Sequence, residues 1–201
     1  SFDGAFGTYD IASAQRGWQV YKQVCAACHG LKYFRFRNLD DLGYNADMIK
    51  AFAAEYEVAG EPDDAGDETM RAALPQDAFP NPFPNDNAAR ASNGGALPPD
   101  LSLMVKARHD GANYVYSLLV GYEDAPADRE ISAGKHYNPY FKGGQISMAP
   151  PLGEGVVDYE DGTAATSEQM AKDVVMFLTY VAEPKLVDRH QMGLNVLLFL
   201  A

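Results

Sequence analysis

The chain has 201 residues, 47% of them apolar and 22% charged, a balance that suits one globular domain with a real core and excludes wholesale disorder. Its formal net charge of −12 repels nucleic acid and argues against phosphate binding, while favouring basic partners through the summed field. Twelve Pro and eighteen Gly call for a loop-heavy fold with short helices.

Residues 1–11 read as an extended arm. Ala12 to Val24 reads as a helix with Ser13 as N-cap and Gly17 as the one breaker. Trp18, Tyr21 and Val24 recur three apart on it, and a glycine beside aromatics lets a second backbone come close. From Glu55 to Asp77 the chain turns acidic, and 75–99 is rich in Pro, Asn, Gly and Ala without periodicity. Together 55–99 reads as one long irregular excursion over the scaffold.

Asp100 is expected to cap a short helix ending near Arg108, and a second helix is expected from Asp110 to Val120, stopped by Gly121. Residues 123–165 are loop-like. Thr166 and Gln169 then form a capping-box pattern ahead of Met170, Val174, Phe177, Leu178 and Val181, which share one helical face until Pro184. No strand pattern stands out, so the fold class is mainly α. Residues 193–201 carry no charge, but the run is far shorter than the roughly 20 apolar residues of a membrane span. The segment 185–201 reads as the start of a truncated membrane anchor helix, or as a terminal core helix.

The only cysteines, Cys25 and Cys28, lie three positions apart and are followed by His29, giving Cys25-Ala26-Ala27-Cys28-His29. This C-x-x-C-H pattern is the attachment signature of c-type haem. Two thiols spaced by nearly one helical turn can bond to neighbouring edges of a porphyrin, and the next residue is then carried beneath the iron. A zinc site would need two more close-spaced ligands, whereas His109, His136 and His190 are scattered singly. A thioredoxin-like pair would need a βαβ setting, and none is evident.

A second axial ligand has to come from elsewhere. Met104, Met170, Met176 and Met192 fall in segments where methionine serves as an apolar filler. Met148 differs, because it sits in a Gly-rich loop closed by Pro150 and Pro151, a rigid hook able to aim a thioether. A Met/His pair leaves no open coordination site and raises the potential, which points to electron transfer. The competing reading is the cytochrome domain of another c-type haem oxidoreductase, or a peroxidase.

These motifs resemble the cytochrome c1 family, the haem-bearing subunits of the ubiquinol–cytochrome c reductase (bc1) complex. The resemblance is carried by Arg16-Gly17-Trp18-Gln19-Val20-Tyr21, by Cys25 to Gly30, by Gly95-Ala96-Leu97-Pro98-Pro99-Asp100-Leu101-Ser102 and by Ala107-Arg108-His109. It continues through Asn138-Pro139-Tyr140-Phe141, Met148-Ala149-Pro150-Pro151, Tyr159-Glu160-Asp161-Gly162-Thr163 and Ala182-Glu183-Pro184.

The resemblance implies a class I cytochrome c-like haem domain over 1–184, with the 55–99 insertion, followed by the anchor at 185–201. It implies one covalent haem c on Cys25 and Cys28, with His29 and Met148 as iron ligands. Arg108 would pair with a haem propionate, Asn93 and Tyr114 would be weaker candidates for that task, and Pro99 would lie against the haem face. No organic substrate would be transformed in the subunit. Implied partners are cytochrome b, a Rieske iron–sulfur protein as donor, and a basic soluble or membrane-bound cytochrome c as acceptor. The implied location is the periplasmic side of a bacterial inner membrane, or a mitochondrial inner membrane facing the intermembrane space.

Overall fold

The computed structural model describes residue 2 and residues 4–201. Two helices make its frame: α1 (Ile11–Gln23) and α5 (Ser167–Ala182). They cross at Gly17, where any side chain would run into the backbone carbonyl of Asp173. The glycine therefore lets the two backbones touch, as the sequence pattern suggested. Ala14, Trp18, Val20 and Tyr21 of α1 are buried against Met170, Val174, Phe177 and Leu178 of α5. Complete burial of side chains such as Val20, Met170, Val174, Phe177 and Leu178 stabilises by about 1.5–3 kcal/mol each.

Beneath the crossing, Phe34, Phe36 and Phe79 close the core, with the Phe36 and Phe79 rings 4.1 Å apart and Trp18 edge-on to Phe79 at 5.1 Å. A polar knot is sealed into the same crossing. Asp173 is fully buried and accepts hydrogen bonds from Ser13 Oγ at 2.7 Å, Arg16 Nε at 2.9 Å and Gln169 Nε2 at 3.0 Å. Arg16 also reaches Asp161 at the rim, at 2.9 Å. Its guanidinium pKa is raised, chiefly by the hydrogen bond to Asp173.

The remaining helices are α2 (Ala46–Ala54), α3 (Asp86–Ser92), α4 (Gly111–Val120), which packs on α5, and α6 (Leu186–Leu200). The strands are short: β1 (Glu57–Ala59) pairs antiparallel with β2 (Met70–Ala72), and β3 (His136–Tyr137) with β4 (Gln145–Ile146). The class is mainly α, as expected.

Several local expectations need correction. Asp10, not Ser13, caps α1, its carboxylate accepting from the Ser13 N–H at 3.0 Å. At α5, Thr166 does cap, but Gln169 turns to Asp173 rather than back to the cap, so the box is half made. No helix follows Asp100, and 102–110 is a series of turns. The 55–99 excursion is not wholly irregular, since it holds the β1–β2 hairpin and α3. The helix α2 and the 3-10 turn Phe36–Leu42 escaped the pattern reading altogether. Among the described residues, no helix is long and apolar enough to cross a membrane. The segment 185–201 forms α6, whose Met192, Leu197, Leu198, Phe199 and Leu200 are exposed.

Candidate functional site

The site grows out of the end of α1. At Val24 the helix tightens into the 3-10 turn Cys25–Ala27, and the Cys25 carbonyl accepts from both Cys28 N–H (3.0 Å) and His29 N–H (2.9 Å). This turn sets Cys25, Cys28 and His29 in one rigid unit. Both cysteines are half-buried. Burial, and secondarily the neighbouring Cys28, pushes the Cys25 thiol up to about 12. Tyr21, buried in α1, donates its hydroxyl to the His29 carbonyl at 2.9 Å, tying the unit back to the core.

A second segment, 99–102, packs against the first. The His29 imidazole Nδ1 lies 2.7 Å from the Pro99 carbonyl, Leu101 N–H donates to the Gly30 carbonyl at 2.9 Å, and the Asp100 carboxylate accepts from Lys32 N–H at 2.8 Å. A carbonyl can only accept, so Nδ1 carries the proton and Nε2 keeps a free lone pair. Burial lowers the His29 pKa, outweighing the Pro99 hydrogen bond and the Asp100 charge, so the ring is neutral at pH 7. A neutral imidazole with Nε2 free is the form that binds a metal. A side chain at Gly30 would crowd the side chains of Asn81 and Asp100. Asp100 serves this clamp through one carboxylate oxygen, and its other oxygen accepts from the Ser102 N–H at 3.0 Å, closing a turn where a helix start was expected.

The other sequence candidates are dispersed. Met148 is half-buried on the loop after β4, and its carbonyl accepts from the Tyr122 hydroxyl at 3.0 Å. Arg108 is exposed and, among the described residues, its guanidinium donates to the adjacent Ala107 carbonyl alone. Asn93 ends α3, its Nδ2 donating to the Ala89 carbonyl at 2.7 Å. Tyr114 is half-buried on α4 and packs on the core, as do Val24, Ala26, Met104 and Leu119. Sequence reasoning missed Tyr21, Asp100 and Tyr122 as contributors. Asp100 and Tyr122 stood beside recognised signals, Pro99 and Gly121, but their partners lie 68 and 26 positions away.

The donor set suits a covalently bound c-type haem: two thiols in one turn, an oriented neutral imidazole beside them, and apolar side chains only partly covered. A zinc ion does not suit it, since among the described residues no three His, Cys, Asp or Glu side chains cluster to hold one.

The profile of the Cytochrome C1 family matches residues 1–201. The chain is 52% identical to "Cytochrome c1-2, heme protein, mitochondrial" of Solanum tuberosum, over 94% of this chain and 73% of the relative. It is 50% identical to "Cytochrome c1" of Rhodospirillum rubrum, over 100% and 79% respectively. With "Cytochrome b-c1 complex catalytic subunit, mitochondrial" of Candida albicans it shares 50% identity, over 99% and 69%.

Proposed function

The chain belongs to the cytochrome c1 family, and from that membership we propose that it is the haem c subunit of a bc1 complex. In this reading it takes electrons one at a time from a Rieske iron–sulfur protein and passes them to a basic cytochrome c. The observation that carries it is the Cys25–His29 turn with its imidazole Nδ1 hydrogen-bonded to the Pro99 carbonyl, 2.7 Å away.

Cys25 and Cys28 would hold the haem as thioethers, with His29 Nε2 and the Met148 thioether as the two iron ligands. When bound, the haem supplies a one-electron iron couple. Everything else is done by the chain. Pro99 fixes the rotation of the imidazole, Asp100 and Tyr21 hold the ligand turn rigid, and the α1–α5 crossing limits reorganisation as charge changes. Met148 would raise the potential and keep other ligands off the metal. Arg108 extends from an exposed turn, from which a charged side chain could swing to a propionate, with Asn93 and Tyr114 as lesser contributors. Cytochrome b and the Rieske protein complete the assembly. The exposed apolar side chains of α6 support its role as the start of a membrane anchor. The domain would face the periplasm of a bacterium, or the intermembrane space of a mitochondrion.

The test is the natively matured protein under acid–acetone extraction, followed by intact mass spectrometry. Colour that stays with the polypeptide, with a mass raised by one haem, is expected. A colourless precipitate at the bare polypeptide mass overturns the proposal.

A further inference from the structure

Met148 stands on a loop with little regular structure of its own, since the β3–β4 ladder is only two residue pairs long. The end of α4 holds it. Asn138 is fully buried and donates through Nδ2 to the Leu118 carbonyl at 2.8 Å. That carbonyl is among the last four of α4, which have no partner within the helix. Asn138 also accepts from Tyr140 N–H through Oδ1 at 3.1 Å, and its own N–H donates to the Gly144 carbonyl at 3.0 Å.

Just past the helix, Tyr122 donates its hydroxyl to the Met148 carbonyl itself, at 3.0 Å. Between these two tethers lies Gly121, where a side chain would run into the Tyr140 ring. The Tyr122 phenol is pushed up to about 12 by burial and so remains a donor across the physiological range. α4 packs on α5, and α5 crosses α1, the helix that ends in the cysteine turn. A continuous packed path therefore leads from His29 to the Met148 carbonyl.

We propose that Tyr122 is a positioning residue for Met148, seconded by Asn138, and that its hydroxyl holds the backbone from which the thioether projects. The inference deepens the proposed function and rests on its assignment of Met148 as an iron ligand. Removing the hydroxyl raises the fraction of time the Met148 side chain has swung away.

Carbon monoxide reads this fraction, because in the reduced holoprotein it binds only when Met148 is off, at a rate proportional to that population. Tyr122→Phe keeps the ring and loses only the hydroxyl. Its carbon monoxide association is expected to rise about five-fold, the size of one neutral hydrogen bond. Amide hydrogen exchange over 144–149 should quicken by a similar factor, while α5 stays as protected as before. Asn138→Ser, too short to reach the Leu118 carbonyl, should move both readouts the same way, and decides the question if Tyr122→Phe does not mature. Unchanged association and exchange in these variants, while Met148→Leu binds carbon monoxide freely, overturns the positioning role. Exclusion of carbon monoxide by Met148→Leu itself overturns the ligand assignment instead, so the two failures are distinct.

Discussion

Asp173 and the carboxylates of the β1–β2 hairpin are the same chemistry in opposite surroundings. Asp173 is fully buried in the α1–α5 crossing, with Arg16, Ser13 and Gln169 all donating to it. Glu57, Glu61, Asp64, Asp67 and Glu68 stand in water on a hairpin that touches the core little. A buried charge must be matched at once by fixed donors, so it becomes a structural rivet. An exposed charge needs no partner, holds nothing together, and stays free to act on other molecules at a distance. The net charge of −12 thus divides into a part that builds the frame and a part that faces outward.

The sharpest way to break this contrast is Asp173→Ala. It leaves the Arg16 guanidinium with only its rim partner Asp161 and the Ser13 hydroxyl without its acceptor, and should cost about 3 kcal/mol in urea unfolding of the holoprotein. A loss below ~1 kcal/mol would mean that Gly17 and the apolar packing hold the crossing without help from charge.

The complementary experiment neutralises the hairpin through Glu57→Gln, Glu61→Gln, Asp64→Asn, Asp67→Asn and Glu68→Gln together. Stability should stay within about 0.5 kcal/mol of the parent. Stopped-flow association with a basic cytochrome c should slow roughly ten-fold at low salt. The parent's own rate should fall as salt is added, because the screening length shrinks from about 30 Å at 0.01 M to about 8 Å at 0.15 M. A rate indifferent to salt removes the outward role.

Asp161 lies between the extremes and gives the smallest effect. Bonds from the Thr163 N–H and then from Arg16 hold its pKa at about 2, below the ordinary 3.8. A carboxylate depressed in the folded state stabilises fully above 3.8 and loses that contribution as pH falls toward about 2. Asp161→Asn should therefore flatten the acid limb of the stability curve in that window, with parent and variant converging below it. Parallel acid limbs would show that neither the Thr163 N–H nor Arg16 stabilises the Asp161 carboxylate in the folded state.

The parts of the molecule legible from sequence were those whose partners are neighbours in the chain. Cys25, Cys28 and His29 form one turn, so three letters at the right spacing were enough to suggest their chemistry. α5 announced itself by the recurrence of Met170, Val174, Phe177, Leu178 and Val181, and Gly17 by its aromatic neighbours. Asp100 misled because a carboxylate before an apolar run is an ordinary helix signal, yet here one oxygen takes the distant Lys32 N–H and the other closes a turn onto the Ser102 N–H. The β1–β2 hairpin was hidden because exposed strands of three residues each, with polar loops, carry no alternation to read.

What the sequence determined by itself is therefore local: a C-x-x-C-H turn, two long helices and an acidic composition. Only the tertiary structure decided that the Pro99 carbonyl orients His29, that Asp173 rivets the crossing, and that Tyr122 holds the loop of Met148. The pairs involved lie 70, 157 and 26 positions apart. Hydrogen bonds act over about 3 Å in space, and nothing in the order of residues encodes which distant groups the folded chain will bring within that reach.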